Sequence, residues 1–202
     1  GGVCGTALLY MLAEYTDLND IVLLEKYAGV AKVNSNGRNN SQTIHCGDIE
    51  TNYTLEKATK VKAAAEMLVN FAADLPNVDQ VIFKYPKMVL GVGEQECRQL
   101  RQRYQTFREV FPKMKLLEKS DIATYEPSVV MVNGEMRPEP CVALAVLDDY
   151  SAVDYLRLSE AFVDKAKAKT DKKIQLVFNS EVDDIVENDG VFSLVTGDKI
   201  IK

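Results

Sequence analysis

A pair of glycines placed directly before an amphipathic segment most restricts what this chain can fold into. Gly2 and Gly5 open a stretch whose apolar residues recur at helical spacing as far as Tyr15, which is typical of a helix that covers a core. The wholly apolar run 21–24 follows and ends in Glu25. Such a run is typical of a parallel strand buried on both faces. The order predicts an α/β fold with a Rossmann-like, mainly parallel sheet.

The same residues are spaced as in a dinucleotide-binding fingerprint. Gly2 and Gly5 match its second and third glycines, and the first would lie one residue before Gly1. Gly2 would let the backbone approach a pyrophosphate, and Gly5 would let the helix pack closely on the sheet. The amides of residues 3–5 would face a phosphate, and Glu25 would accept hydrogen bonds from ribose hydroxyls. An ordinary loop-to-helix turn and a solvated strand end at Glu25 stay open as alternatives.

Further helices and strands are predicted along the chain. Amphipathic helices are expected at residues 56–75 and 94–111. A third is expected to be capped by Ser151 and to run to about Lys169, with Asp154 as the acid of a capping box. Strands are expected at residues 81–83, 88–92, 115–118, 129–132, 142–146, 174–178, 181–187 and 191–196, with another beginning near the end of the chain.

Short polar segments predict how some of these elements are joined. Asn133-Gly134 predicts a turn that joins strands 129–132 and 142–146. Asn188-Asp189-Gly190 predicts a hairpin turn. Ser120 is expected to cap a short turn of helix.

The stretch 34–47 is rich in glycine, asparagine and serine, a composition that predicts a loop. Small polar residues of this kind suit a wall against a flavin ring, and a plain surface loop is the alternative. His45, the sole histidine of the chain, is a candidate base for a hydroxyl proton or a structural hydrogen-bonding residue. Arg38 is a candidate to orient a substrate carboxylate, or an ordinary surface arginine.

Composition excludes several classes of protein. The formal net charge is −6, so the chain lacks the clustered positive charge that nucleic-acid binding requires. The four cysteines form no C-x-x-C pair, so neither a metal site nor a redox dithiol is predicted. No stretch approaches the roughly 20 apolar residues that span a bilayer, and no signal peptide is expected.

Several motifs together resemble the malate:quinone oxidoreductase family, and the resemblance extends along essentially the whole chain. They are Gly2-Val3-Cys4-Gly5-Thr6-Ala7, the strand 21–25, Ser35-Asn36-Gly37-Arg38-Asn39-Asn40 with His45 and Asn52-Tyr53-Thr54, the run 88–93, residues 100–104 and residues 149–155. Asn40-Ser41 and Ile44-His45-x-Gly47 also resemble L-2-hydroxyglutarate dehydrogenase, a sister family. The wider group is the amino-acid-oxidase-like flavoenzymes.

The resemblance implies FAD as the cofactor, (S)-malate as the substrate and a membrane quinone as the electron acceptor. It implies a peripheral enzyme on the cytoplasmic face of a bacterial inner membrane, with membrane contact through regions expected outside these residues. The implied cofactor-binding residues are Gly2, Val3, Cys4, Gly5, Glu25, Lys26, Ser35, Asn40, Ser41 and Val182, the last beside adenine. Arg38 is the candidate substrate-binding residue and His45 the candidate catalytic residue.

The resemblance also predicts how the chain is divided. Residues 1–78 would form the first part of an FAD-binding domain, residues 79–146 part of an inserted, partly antiparallel substrate domain, and residues 147–202 the returning part of the FAD-binding domain. The chain would be an N-terminal fragment that is inactive by itself. The alternatives are L-2-hydroxyglutarate dehydrogenase, another amino-acid-oxidase-like flavoenzyme, and a non-catalytic nucleotide-binding fragment.

Overall fold

The chain folds into two compact units in the computed structural model. The structure describes residues 1–197 and 199–201, and for residues 199 and 200 it describes the backbone alone. Unit 1 contains Gly1–Gln42 and Val153–Lys202, and unit 2 contains Thr43–Ala152. These limits differ from the predicted division at residues 78 and 146, because Ala58 in the segment 43–78 packs into the core of unit 2. The functional assignment of the domains stays a prediction.

Unit 1 combines two helices with a parallel strand pair and a small antiparallel sheet. Its elements are α1 (Val3–Tyr15), β1 (Asp20–Leu24), α5 (Tyr155–Lys167), β9 (Lys173–Val177), β10 (Asp184–Asn188), β11 (Val191–Thr196) and β12 (Lys199–Ile201). Strands β1 and β9 pair in parallel, with Ile21 opposite Ile174. The predicted first helix and the predicted parallel strand are confirmed.

The core of unit 1 lies where α1 and α5 pack together beside the β1–β9 pair. Leu9 and Ala13 of α1 meet Val163 and Ala166 of α5 in one buried cluster. The apolar stripe that was expected to cover the core is instead largely exposed, with Tyr15 at 67%. Leu9 and Ala13 share another face of the helix, because residues four apart lie on the same face. The packing holds the start of α1 beside the end of β1.

Asp154, and not Ser151, caps helix α5. The Asp154 carboxylate accepts hydrogen bonds from the backbone amides of Leu156 and Arg157. Ser151 was predicted as the cap, but it lies in strand β8 (Tyr150–Val153). Its buried hydroxyl donates to the Tyr85 carbonyl at 2.8 Å instead.

The hairpin predicted near residue 190 is confirmed. Strands β10 and β11 pair antiparallel from Asn188 opposite Val191, which leaves Asp189 and Gly190 as a two-residue turn. Both have positive φ, 50° and 77°, as a type I′ hairpin turn requires. Strand β12 then pairs with β11, so the further strand expected near the end of the chain is also present.

Unit 2 is built from two longer helices and a three-stranded antiparallel sheet. Its elements are α2 (Leu55–Ala73), β2 (Ile82–Lys84), β3 (Lys87–Val92), α3 (Gly93–Phe107), β4 (Lys115–Glu118), α4 (Lys119–Tyr125), β5 (Met131–Val132), β6 (Glu135–Met136), β7 (Cys141–Val146) and β8, with short 3-10 helices at Val78–Gln80 and Pro127–Val129. The sheet has the strand order β3-β7-β4. All six residues of β7 are buried.

Two expectations for unit 2 are wrong. The turn at Asn133-Gly134 joins β5 to the short strand β6, whereas β7 pairs with β3 and β4. Pro138 and Pro140 lie between, and proline has no amide hydrogen to extend the hairpin. Ser120 lies inside α4 and does not cap it, because Glu118 and Asp121 form the capping box.

Candidate functional site

The first turn of α1 presents backbone amides that the protein does not use. Gly2 occupies the N-cap position and offers no side-chain cap. The Val3 amide donates to the Ser35 hydroxyl at 3.0 Å across 32 residues of sequence. Among the residues that the structure describes, the amides of Cys4 and Gly5 have no protein acceptor. The positive end of a helix with unused amides is a site for an anion.

The glycines of this turn have different roles. A side chain at Gly1 would place its Cβ 2.4 Å from the Glu25 carboxylate, and one at Gly2 would lie 3.3 Å from the Ser35 hydroxyl. A Cβ at Gly5 would meet no heavy atom within 4 Å among the described residues, so the packing role of Gly5 stays a prediction.

Glu25 closes β1 beside this turn. One carboxylate oxygen accepts from the Tyr27 amide and the other lies near the backbone nitrogen of Gly1, each at 2.8 Å. The side chain is 12% exposed. It is a charged hydrogen-bond acceptor held beside the start of α1.

The segment after β9 runs next to the segment after β1. The Ser180 amide donates to the Glu25 carbonyl at 2.9 Å, and the Asn179 amide donates to the Tyr27 carbonyl at 3.0 Å. Val182 follows and is 38% exposed. The structure therefore brings the chain leading to Val182 to the strand end that carries Glu25.

Lys26 points to this second segment. Its ammonium forms an exposed ion pair with Glu181, and that carboxylate raises the pKa of Lys26 above its usual value. A ligand that used Lys26 would compete with Glu181.

The polar loop supplies one buried contact and several exposed residues. Ser35 is buried and carries the hydroxyl that receives the Val3 amide. Arg38, Asn40 and Ser41 are exposed. The Asn40 carboxamide accepts from the Gln42 amide at 2.8 Å, which stiffens this end of the loop.

Gln42 was not singled out by sequence reasoning. It has φ +57°, and its carboxamide oxygen accepts from the Tyr155 amide at 2.8 Å. Its carbonyl accepts from the Val153 amide at 2.8 Å. These bonds tie the loop to the start of α5, a long-range contact that residue types alone do not indicate.

His45 lies in unit 2. Its ring is 63% exposed, and Nδ1 lies 3.1 Å from a carboxylate oxygen of Glu50, whose own side chain is 15% exposed. Sequence reasoning singled out His45 but not Glu50. A glutamate five residues after a histidine does not by itself predict a contact between them. The conformation of the loop at residues 45–53 brings the Glu50 carboxylate to the His45 ring.

Arg103 of α3 anchors the loop that contains Glu50 and Tyr53. Its guanidinium donates to the carbonyls of Glu50 at 2.7 Å and Tyr53 at 2.9 Å, and it lies 3.7 Å from the centre of the Phe107 ring. Burial lowers the pKa of Arg103 from its usual value. Among the described residues, the second Glu50 oxygen and Arg103 Nε are buried without a hydrogen-bond partner.

A second buried charge lies near the same loop. The ammonium of Lys87 lies 2.8 Å from the Asp48 carboxylate, with side chains 12% and 6% exposed. Burial alone would lower the pKa of Lys87, but Asp48 outweighs it and the pKa is raised. Burial raises the pKa of the neighbouring Cys46 thiol, which makes that thiol a poor nucleophile.

Within the described ranges, no group of three or more His, Cys, Asp or Glu side chains could hold a metal ion. Nor does any helix in the described part of the chain have the length and apolar character needed to cross a bilayer.

Replacing Ser35 with alanine is expected to lower the stability of the FAD-free protein by about 1 kcal/mol, the usual cost of losing a helix cap. The reason is that the Val3 amide loses its acceptor at a partly buried position. Thermal unfolding of Ser35→Ala checks this. Ser180→Ala is the control, because in the described part of the chain that hydroxyl bonds to no group but the carbonyl two residues before it. Equal melting temperatures for the two variants would contradict the capping role.

The parallel β1–β9 pair, the open start of α1 and the carboxylate that closes β1 together define a Rossmann-like nucleotide-binding fold. A family model described as malate:quinone oxidoreductase (Mqo) matches residues 1–199. The chain belongs to the malate:quinone oxidoreductase family, which confirms the predicted resemblance.

Curated relatives carry the same name. The chain is 41% identical to a probable malate:quinone oxidoreductase of Campylobacter jejuni over 199 residues, which are 96% of this chain and 44% of the relative. It is 36% identical to a malate:quinone oxidoreductase of Helicobacter pylori (strain ATCC 700392 / 26695), and the match covers 98% of this chain and 44% of that relative. The chain therefore spans less than half the length of these relatives.

Solved structures share the fold at low sequence identity. L-alpha-glycerophosphate oxidase from Mycoplasma pneumoniae, solved with FAD bound, has a TM-score of 0.69 at 22% identity and covers 98% of this chain and 48% of that one. Glycine oxidase from Geobacillus kaustophilus has a TM-score of 0.70 at 19% identity, with 99% and 50% covered. The predicted fold class is confirmed, and FAD as the predicted cofactor agrees with the family and with the first of these folds.

Proposed function

We propose that the whole protein to which these residues belong binds FAD and oxidises (S)-malate to oxaloacetate, passing the electrons to a membrane quinone. The observation that carries this proposal is the start of α1, where the unused amides of Cys4 and Gly5 lie beside Ser35 and Glu25 in a member of the malate:quinone oxidoreductase family.

The residues of unit 1 fit FAD. The diphosphate would accept from the amides of Cys4 and Gly5, which have no protein acceptor among the described residues. The first turn of α1 contains no acidic residue that would repel it. The ribose hydroxyls would donate to Glu25, and adenine would lie against Val182. Lys26, Ser35, Asn40 and Ser41 are the further proposed contacts.

Bound FAD would supply a two-electron acceptor for the hydride of the substrate. For the chain's own residues, we assign His45 the proton of the malate hydroxyl and Arg38 one of the carboxylates. The exposure of both side chains supports these roles. We assign the remaining substrate contacts, and the contact with the inner face of the cell membrane, to the part of the relatives' length that this chain does not span.

The proposal is tested with the full-length protein. We expect it to purify yellow, to lose its flavin absorbance anaerobically on addition of (S)-malate, and to regain it with a quinone faster than with O₂. Bleaching by L-2-hydroxyglutarate or by an amino acid, with no response to malate, would assign the protein to another substrate. A colourless protein that takes up no FAD would overturn the proposal and leave a non-catalytic module.

A further inference from the structure

The largely buried carboxylate of Glu50 contacts the exposed ring of His45. His45 Nδ1 lies 3.1 Å from Glu50 Oε1, and the ring is 63% exposed while the carboxylate side chain is 15% exposed. The contact therefore joins an accessible imidazole to a group largely withdrawn from solvent.

Glu50 is itself fixed by the fold of unit 2. Its carbonyl accepts from the Arg103 guanidinium at 2.7 Å and from the Tyr53 amide at 3.1 Å. Arg103 also binds the Tyr53 carbonyl at 2.9 Å and packs on Phe107. Since α3 anchors the backbone on both sides of the turn, the Glu50 side chain starts from a defined position.

The chemistry of the two groups determines which of them donates the hydrogen bond. An ionised carboxylate only accepts hydrogen bonds, so the contact requires a proton on Nδ1. The bond made by one ring nitrogen of histidine sets the protonation of the other. His45 Nε2 is then the nitrogen with a free lone pair.

We propose that Glu50 is a positioning residue for His45: it fixes the tautomer with the proton on Nδ1 and stabilises the imidazolium that forms when Nε2 takes the hydroxyl proton of the substrate. In that step the O–H bond breaks, an Nε2–H bond forms and the oxygen keeps the electron pair. The inference rests on the proposed function, in which His45 is the base. Glu50 touches no substrate and acts through His45 alone.

A double-mutant cycle in the full-length flavoprotein tests the kinetic part. The rate of flavin reduction at saturating malate is measured for Glu50→Gln, His45→Ala and the double variant. We expect His45→Ala to lower this rate about a hundredfold, Glu50→Gln about tenfold or more, and the double variant no further than His45→Ala. Flavin content and the KM for malate are expected to stay within about threefold. Glu56→Gln is the control, because Glu56 is exposed and its one ion pair among the described residues is with Lys60.

Three kinetic outcomes would overturn the inference. They are an unchanged rate in Glu50→Gln, an unchanged rate in His45→Ala, and a loss from Glu50→Gln that persists in the His45→Ala background. The last would mark Glu50 as a structural residue, because independent effects add. If malate does not reduce the wild-type flavin, the proposed substrate is wrong, and the same cycle is measured with the substrate that does reduce it.

A second measurement needs no substrate. In full-length protein labelled with ¹⁵N-histidine, the His45 signals are identified by their loss in His45→Ala. We expect Nδ1 to carry the proton in the neutral ring of the wild type and the proton to move to Nε2 in Glu50→Ala. A wild-type ring protonated on Nε2, or a tautomer that Glu50→Ala leaves unchanged, contradicts the positioning role whatever the enzyme acts on.

Discussion

Replacing Gly47 with alanine is expected to lower the free energy of unfolding by about 3 kcal/mol or more. Gly47 has φ +88°, and a Cβ there would lie 2.5 Å from the Ala58 carbonyl oxygen and 3.0 Å from its Cα. Ala58 belongs to the first turns of α2, is fully buried and packs in the main core cluster of unit 2. The buried backbone of Ala58 cannot shift without disturbing the packed core around it. The clash between the new Cβ and this backbone therefore adds to the free-energy cost of the left-handed conformation.

Gly134→Ala is the matched control for this prediction. Gly134 has φ +85°, close to that of Gly47, but a Cβ there would meet nothing within 4 Å. This variant should lose only about 1 kcal/mol, the cost of a left-handed residue. Thermal unfolding should show a drop of about 6–12 °C for Gly47→Ala against about 2–4 °C for Gly134→Ala. Equal drops would show that Gly47 and Ala58 are not in close approach.

Replacing Cys4 with aspartate is expected to weaken FAD binding about a hundredfold. A carboxylate about 5 Å from one phosphate charge costs about 3 kcal/mol at an effective dielectric constant near 20, which corresponds to about that factor. Cys4 is exposed and lies in the first turn of α1, which contains no acidic residue. Without FAD the same substitution should stabilise the helix by about 0.3–1 kcal/mol, because anions favour the helix N-terminus.

Cys4→Asp is thus expected to raise the stability of the FAD-free protein and to lower its affinity for FAD. This combination is expected only if the start of α1 binds an anion. FAD affinity is measured by titrating the FAD-free protein, and stability by thermal unfolding without FAD. Cys4→Ser is the control, because it keeps the size and the neutrality of the side chain, and its FAD affinity should stay within about threefold. Should Cys4→Asp bind FAD as tightly as Cys4→Ser, the diphosphate does not lie at the start of α1.

Features set by neighbouring residues were predictable from the sequence. The glycines and the apolar period of α1, the apolar run of β1 and the Asp189-Gly190 turn each determine their own conformation, and the structure contains all three. The strand end at Glu25 also follows from this local pattern, because a buried parallel strand ends where polar residues begin.

Features set by contacts distant in sequence were not predictable. Strand β7 pairs with β3 and β4, although a nearby turn predicted another partner. The acceptor for the Val3 amide is Ser35, 32 residues away, and Arg103 reaches the Glu50 carbonyl across 53. In each case tertiary packing decides between acceptors or strands that look equivalent in the sequence.

The position of FAD in an experimental structure of the full-length protein tests the central claim most directly. We expect diphosphate density within hydrogen-bond distance of the Cys4 and Gly5 amides, with the ribose hydroxyls on the Glu25 carboxylate. FAD bound in another place, or a folded full-length protein that takes up none, would contradict the account.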